Sequence, residues 1–188
     1  MAIVINGSGT VTGLAVGGLP DGTVDAGTLA TDSVTAAKLE VSAITGADLP
    51  AGSVLQIVST KYASAVNISS TTFQNSGLGA NITPSSTSSK ILIMITASVG
   101  GDGYDSSYLY GAPFRDSTEL MEVAFCRDQP VSNYGATSES LALTYLDSPS
   151  STSQITYRLK GRATNANHQF RFNYVSGHST ITLMEIAG

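Results

Sequence analysis

The chain has 188 residues, of which 41% are hydrophobic and only 12% are charged, and its formal net charge is −5. This charged share is about half that of an average soluble protein, and with the many Ser, Thr and Gly residues it is typical of β-rich structural proteins. The negative balance argues against nucleic acid as a partner, since phosphate binding requires a basic face. The single cysteine excludes an intrachain disulfide. The sequence has no signal-peptide pattern and no membrane span, so we expect cytoplasmic synthesis and no membrane insertion.

Residues 1–13 alternate apolar and small polar side chains and then end in glycines. The alternation predicts a short strand that has no core of its own. Two interpretations remain open at this point: a frayed terminus, or a docking peptide that adds to a partner's sheet or groove. In the second interpretation the partner is contacted by Ile3, Ile5 and Val11.

Residues 14–52 carry a ten-residue repeat in which apolar side chains stand five positions apart. Residues 19–24 (LPDGTV) return three periods later as residues 49–54 (LPAGSV). A repeat this short cannot bury its own apolar surface, so it needs copies of itself to pack against. We therefore predict an extended shaft in which several chains surround one axis. The residues predicted to face that axis are Leu14, Leu19, Val24, Leu29, Val34, Leu39, Ile44 and Leu49.

The spacing of the repeat excludes the two commonest regular structures. A period of five matches neither the 3.5 residues of a coiled coil nor the alternation of an ordinary strand. The glycines of the segment, together with Pro20 and Pro50, also argue against a long helix. The alternative is a low-complexity linker, against which the regular placement of Val or Ile and Leu is the main evidence.

The sequence of residues 53–188 contains many short strand-like runs separated by turn residues. This pattern predicts an all-β head, a β-sandwich of the jelly-roll-like kind. The run from Lys90 to Val99 is apolar on both faces, as expected of a strand that is buried between two layers. The other predicted strands are 54–60, 108–114, 119–126, 141–146, 154–160, 169–175 and 180–186.

Aromatic residues in polar loops make a candidate binding surface on this head. Tyrosine rings beside carboxylates and amides suit sugars. The C–H groups of a sugar stack on the aromatic rings, and its hydroxyls form hydrogen bonds with the carboxylates and amides. The alternative is that some of these aromatics belong to the core. The residues predicted to contact a receptor are Tyr104, Tyr108, Tyr110, Arg115 and Tyr134.

The sequence offers no recognisable catalytic or metal-binding pattern. His168 and His178 lie in or beside turns without the spacing of a zinc or hydrolase motif, and we expect both to be exposed. Residues 100–105 lack the full pattern of a calcium loop and are predicted to form a hairpin. We therefore expect a chain that is not an enzyme and that binds no cofactor and no metal.

Several phrases of the sequence resemble fibre proteins of tailed bacteriophages, especially marine and cyanobacterial ones, and the similarity covers nearly the whole chain. The resemblance implies a homotrimer with an N-terminal virion anchor, a thin shaft and a globular head similar to C1q or tumour-necrosis-factor domains. The phrases are residues 6–14 (NGSGTVTGL), the ten-residue repeat, residues 82–92 (ITPSSTSSKIL), residues 146–149 (LDSP) with Tyr157 shortly after, and residues 181–188 (ITLMEIAG).

The patterns predict three regions, residues 1–13, a repeat shaft (14–52) and a β-sandwich head (53–188), and the resemblance implies that they form a structural virion fibre with an anchoring peptide and a trimeric shaft. The expected partners are two further copies of the chain, another virion protein at the N-terminus, and a host cell-surface glycan or protein. A short tail fibre is the favoured position on the particle. The alternatives are a capsid head fibre or decoration protein without receptor specificity, and a depolymerase head on the same stem.

Overall fold

The computed structural model describes residues 4–5, 11–12, 29, 31, 33–35, 39, 44–102, 108–127, 136–173 and 177–188. The chain divides into two compact units, Met1–Thr45 and Gly46–Gly188. In the first unit, strand β1 (Val4–Ile5) pairs antiparallel with β2 (Val11–Thr12). No helix in the described part of the chain is long and apolar enough to cross a membrane.

The second unit begins with a short 3-10 helix, Gly46–Asp48, and is otherwise built from antiparallel strands. This confirms the prediction of an all-β fold with two sheets. The strands are β3 (Val54–Tyr62), β4 (Val66–Ile68), β5 (Gln74–Ile82), β6 (Lys90–Asp102), β7 (Tyr108–Arg115), β8 (Thr118–Glu119), β9 (Val123–Arg127), β10 (Ala136–Asp147), β11 (Ile155–Ala163), β12 (Gln169–Phe172) and β13 (Ser179–Ile186).

The long strand β6 organises a six-stranded sheet. Strand β10 runs along one side of β6, with Asp147 opposite Ile91 and Ala136 opposite Asp102. The other side of β6 is shared by β13 and β12, which pair in turn with β3 and β4. The predicted apolar strand is therefore central, and it is three residues longer than its most apolar run suggested.

A five-stranded sheet forms the second layer, with β11 between β5 and β7 and with β8 and β9 paired to β7. Alternate residues of β11 are buried, because successive side chains of a strand point to opposite faces. Its buried residues Tyr157 and Leu159 belong to one hydrophobic core together with Ile93, Leu183 and Phe170 of the six-stranded sheet.

Two local predictions were wrong. Strands β4 and β5 were not predicted, since the segment from Gln74 to Ile82 contains glycines and small polar residues in place of the usual β-branched ones. The predicted strand 119–126 is divided into β8 and β9, and the Leu120 N–H between them donates to the carbonyl of Pro113. Residues 103–105 of the hairpin predicted at 100–105 lie outside the described residues, and residues 100–102 form the end of β6.

Candidate functional site

The outer face of the five-stranded sheet carries a row of basic side chains. Residues 158, 160 and 162 of β11 alternate with fully buried neighbours and are themselves half-buried. Across the strand pair, Phe114 of β7 stands opposite Arg158, and Tyr110 stands opposite Arg162. We refer to the following residues together as the basic–aromatic face: Tyr108, Tyr110, Phe114, Arg158, Lys160 and Arg162.

Cations and aromatic rings are stacked on this face. The Lys160 Nζ lies 4.1 Å from the ring centroid of Phe114, and the guanidinium carbon of Arg162 lies 4.2 Å from that of Tyr110. Such contacts are attractive because the face of an aromatic ring is electron-rich. Glu122 holds Arg162 in place by accepting hydrogen bonds from its Nε and Nη2 at 2.9–3.0 Å. The Arg162 charge is therefore compensated within the chain.

Two of the five predicted receptor residues are neighbours in the structure. The ring centroids of Tyr108 and Tyr110 are 6.3 Å apart, and Tyr108 is 43% exposed. Tyr110 is half-buried beneath Arg162, so Tyr108 presents the more accessible ring. Tyr104 and Tyr134 lie outside the described residues. The geometry is compatible with a binding surface at these tyrosines, whose role as a receptor site stays a prediction.

Arg115, the fifth predicted receptor residue, takes part in a polar network between the two sheets. Its Nη1 donates to both carboxylate oxygens of Asp147, at 2.9 and 3.0 Å, and the Tyr157 hydroxyl donates to Asp147 Oδ2 at 2.7 Å. Burial, followed by the hydrogen bond to Asp147, raises the pKa of Tyr157 far above its ordinary value. Tyr157 therefore stays a protonated donor, and the network fastens β10 to β7 and β11.

A second polar network is centred on Glu185, which is fully buried. Its carboxylate accepts hydrogen bonds of 2.5–2.7 Å from Gln56 Nε2, the Ser85 N–H, the Ser85 hydroxyl and the Ser89 hydroxyl. Burial alone raises the pKa of Glu185, but the hydrogen bonds from Gln56, Ser85 and Ser89 outweigh it and hold the pKa below its usual value. The carboxylate thus links the serine-rich connector before β6 to strand β13 through hydrogen bonds.

These two networks give a structural role to three of the sequence phrases that carried the resemblance to phage fibres. The serine-rich phrase 82–92 and the C-terminal phrase 181–188 meet at Glu185. Similarly, Asp147 of the phrase 146–149 is hydrogen-bonded to Tyr157. These three phrases therefore stabilise the fold, and none of the three lies on the basic–aromatic face.

The outer face of the six-stranded sheet carries a row of apolar side chains in register across four strands. Met184 stands opposite Ile57 on one side and Leu92 on the other, and Leu92 stands opposite Leu146. Ile57 is 59% exposed and Leu146 is 49% exposed, while the middle two are half-buried. We refer to Ile57, Leu92, Leu146 and Met184 as the apolar row.

Five of the eight residues predicted to pack on a shaft axis are described, and all five are exposed in the single chain. Their exposed fractions lie between 40% and 57%, which is high for large apolar side chains. They are Leu29, Val34, Leu39, Ile44 and Leu49. The other three, Leu14, Leu19 and Val24, lie outside the described residues. Exposure of this kind is necessary for packing against further copies, although it leaves the axial arrangement a prediction.

The predicted docking peptide contains the one strand pair of the first unit that the structure describes. Ile5 of β1 stands opposite Val11 of β2. Ile3 lies outside the described residues. A two-residue strand pair is too short to be stable by itself, so it is compatible with a segment that gains its stability from a partner.

The prediction that both histidines are exposed was wrong for His168. The His168 side chain is buried, and the backbone N–H of the same residue donates to the carbonyl of Asn165 in a tight turn before β12. His178 is exposed as predicted. Among the residues that the structure describes, no group of three or more His, Cys, Asp or Glu side chains is placed to hold a metal ion.

Sequence reasoning missed the cations that complete the basic–aromatic face. The alternation of Arg158 and Lys160 with apolar residues was visible in the sequence, but it indicated only a polar outer face. Their aromatic partner Phe114 and the carboxylate of Glu122, which is 40 positions from Arg162, are brought together by strand pairing alone. No short-range pattern in the sequence signals that arrangement.

No protein-family model matches the chain, and no curated protein sequence matches it either. The chain is similar in structure to the infectious bursal disease virus VP2 subviral particle, with 11% identity and a TM-score of 0.36. The Gx strain of the same virus gives 12% and 0.37, and its T13 viral particle gives 11% and 0.36. Each match covers 71% of this chain and 36–38% of the other, so the chain spans just over a third of their length.

The three matched structures are virus-particle structures, and none of them is a bacteriophage fibre or a C1q or tumour-necrosis-factor domain. With such low TM-scores, the similarity carries no argument about the role of this chain.

Proposed function

We propose that the chain is a structural virion fibre protein, a homotrimer anchored by residues 1–13 and carrying a shaft at residues 14–52. Its β-sandwich head attaches to a glycan on the host surface, in the manner of a short tail fibre. The proposal is carried by one observation: the five described apolar residues of the ten-residue repeat are exposed at regular spacing. Transfer of one such side chain out of water contributes about 1.5–3 kcal/mol, so burial against two further copies is strongly favoured.

The apolar row supports assembly at the head as well. Monomeric proteins rarely expose contiguous apolar patches larger than a few hundred Å², and exposed apolar residues in register across several strands are typical of interaction surfaces. The row has no charged member, and Val54, the apolar residue that continues the five-residue spacing after Leu49, opens the same strand as Ile57. We infer that a second copy of the chain covers this face.

The chain acts as a structural and binding protein and not as an enzyme in this proposal. Three identical heads on one stem present three weak sites, whose combined engagement exceeds that of any one. A capsid decoration protein would share the trimer and lack glycan binding. A depolymerase would shorten a polysaccharide on incubation, which the proposal does not expect.

Light scattering on the full chain tests the trimer. We expect a solution mass near three times the 19.3 kDa of one chain. The double variant Leu29→Asp with Leu39→Asp should lower that mass, because it places carboxylates on the shaft axis. The double variant Thr31→Asp with Thr35→Asp, which adds the same two charges at exposed polar positions of the repeat, should leave the mass unchanged. A monomeric wild-type chain would favour the linker interpretation of residues 14–52.

A second pair of variants tests the head interface. Leu146→Lys introduces a charge into the apolar row and should weaken the trimer, which would dissociate at higher protein concentration than the wild type. Asn81→Lys places the same charge on an exposed position of the opposite sheet and should have no effect. If both variants assemble like the wild type, the apolar row is not the interface between copies.

A further inference from the structure

We propose that the basic–aromatic face binds an acidic glycan, a polysaccharide whose sugars carry carboxylate, sulfate or phosphate groups. This inference rests on the proposed attachment function and specifies the class of its ligand. It begins from the distribution of charge. Three of the chain's nine basic residues lie on alternate positions of one strand, although the chain as a whole carries a net charge of −5.

Two of these three cations are available to a ligand. Arg162 is compensated by Glu122. In the part of the chain that the structure describes, neither Arg158 nor Lys160 has a carboxylate within ion-pair distance. A half-buried cation without a counter-ion attracts an anion more strongly than a fully solvated one, because solvent screens it less.

Strand β5, on the side of these two cations away from Phe114, carries glycine and asparagine on its outer face, which suits an extended sugar chain. The aliphatic part of Arg158 lies over Gly79 of β5, where a Cβ would come within 2.9 Å of Arg158 Cγ. The exposed side chains of Asn75 and Asn81 lie on the same strand as Gly79 and offer amides to sugar hydroxyls. A side chain at position 79 would collide with Arg158 and displace it from this surface.

The aromatic end of the face supplies the stacking surface. Distances along β11 are counted from the position that lies beside Tyr108 of β7. Lys160 is two pleat periods of two residues from that position and Arg158 is three, which corresponds to about 13 and 20 Å at the usual rise of a strand. A single small anion cannot span these groups, whereas an oligosaccharide can place a ring on Tyr108 and its anionic groups on the cations. Nucleic acid is disfavoured by the net negative charge.

The test uses the full chain and two matched probes, polygalacturonate oligosaccharides and their methyl-esterified, uncharged form, with affinity measured by titration calorimetry. We expect the acidic form to bind at least tenfold more tightly, and its affinity to fall as NaCl is raised from 50 to 300 mM. The double variant Arg158→Gln with Lys160→Gln should lose that preference. Lys160→Arg should retain it, and Lys61→Gln, which removes an exposed cation from the other sheet, should bind like the wild type.

The outcomes separate this inference from the attachment function on which it rests. Equal binding of both probes, with loss on Tyr108→Ala, would overturn the acidic specificity and leave glycan attachment standing. Binding of neither probe by a chain with the trimeric mass would overturn both the acidic specificity and glycan attachment. Preference for the acidic probe that survives the double Gln variant would place the anion site elsewhere and overturn the assignment to this face.

Discussion

Substitution of Glu185 by glutamine tests whether the buried carboxylate stabilises the head. The side chain keeps its shape but loses its charge, so that the change is almost purely electrostatic. Three donors converge on Oε1: the Ser85 N–H, the Ser85 hydroxyl and the Ser89 hydroxyl. Oε2 accepts from Gln56 Nε2. An amide can keep the first three of these bonds as neutral ones, but its NH₂ group then faces the amide of Gln56.

The expected loss of stability follows from these four bonds. A hydrogen bond to a charged group is worth about 1 kcal/mol more than a neutral one, so three weakened bonds cost about 3 kcal/mol. The lost bond to Gln56 adds about 1 kcal/mol. Gln56 cannot reverse its amide freely, since Nε2 also donates to the Thr83 carbonyl. Relief of the desolvation of the charge offsets part of this, which leaves a net loss of about 2–4 kcal/mol.

Chemical denaturation of the full chain at one fixed concentration measures this loss, and its pH dependence identifies the cause. Because the pKa of Glu185 in the folded chain lies below its ordinary 4.5, its contribution is complete above about pH 4.5 and is lost as the pH falls through the folded pKa. The difference between the wild type and Glu185→Gln should therefore be largest near pH 7 and should shrink in acid.

The exposed residue Glu139 on the edge strand β10 provides the control. Glu139→Gln removes the same charge from a solvated position and should change the free energy of unfolding by less than about 0.5 kcal/mol. A loss of under 1 kcal/mol at pH 7 for Glu185→Gln, or a loss that does not depend on pH, would refute the argument that the hydrogen bonds outweigh the desolvation penalty.

Two further pairs of variants test the structure by unfolding measurements. Asp147→Asn should cost about 3 kcal/mol because it removes the charge that accepts hydrogen bonds from both Arg115 and Tyr157, whereas Tyr157→Phe removes one bond to that carboxylate and should cost about 2 kcal/mol; a larger cost for Tyr157→Phe than for Asp147→Asn would contradict the network. Gly77→Ala should destabilise by at least 1 kcal/mol more than Gly52→Ala. Both glycines have positive φ, but only at Gly77 would the new Cβ collide with a ring, that of Tyr62; similar losses would show that the ring can move away.

The class of the fold was predictable from the sequence because the burial of a strand determines which of its residues are apolar. The central strand β6 is apolar on both faces, and β11 alternates buried and half-buried residues along its whole length. Strand β5 shows where this reasoning fails. Its inward residues Ser76, Leu78 and Ala80 do alternate, but two of them are too small to stand out. Its outward glycines resemble a loop, although one of them allows the close approach of Arg158.

The candidate site was less predictable, because it depends on contacts between distant parts of the chain. Tyr108 and Tyr110 could be placed on one face from their spacing alone. Arg115 could not be assigned, since its partner Asp147 is 32 positions away and belongs to the other sheet. The cations at 158 and 160 were visible as polar positions, but their importance depends on having no carboxylate at ion-pair distance in the described part of the chain, which only the folded structure shows.

The two outer faces of the sandwich differ in a way that constrains how the head is used. One carries the apolar row, and the other carries a row of cations with aromatic neighbours. If the head were a solitary domain, both outer faces would be expected to be polar, since each is bathed in water. A trimer that covers the apolar row leaves the basic–aromatic face of every copy directed away from the contact. If Leu146→Lys leaves the trimer intact while the repeat variants dissociate it, the shaft alone holds the copies together, and the apolar row must be covered by a different partner.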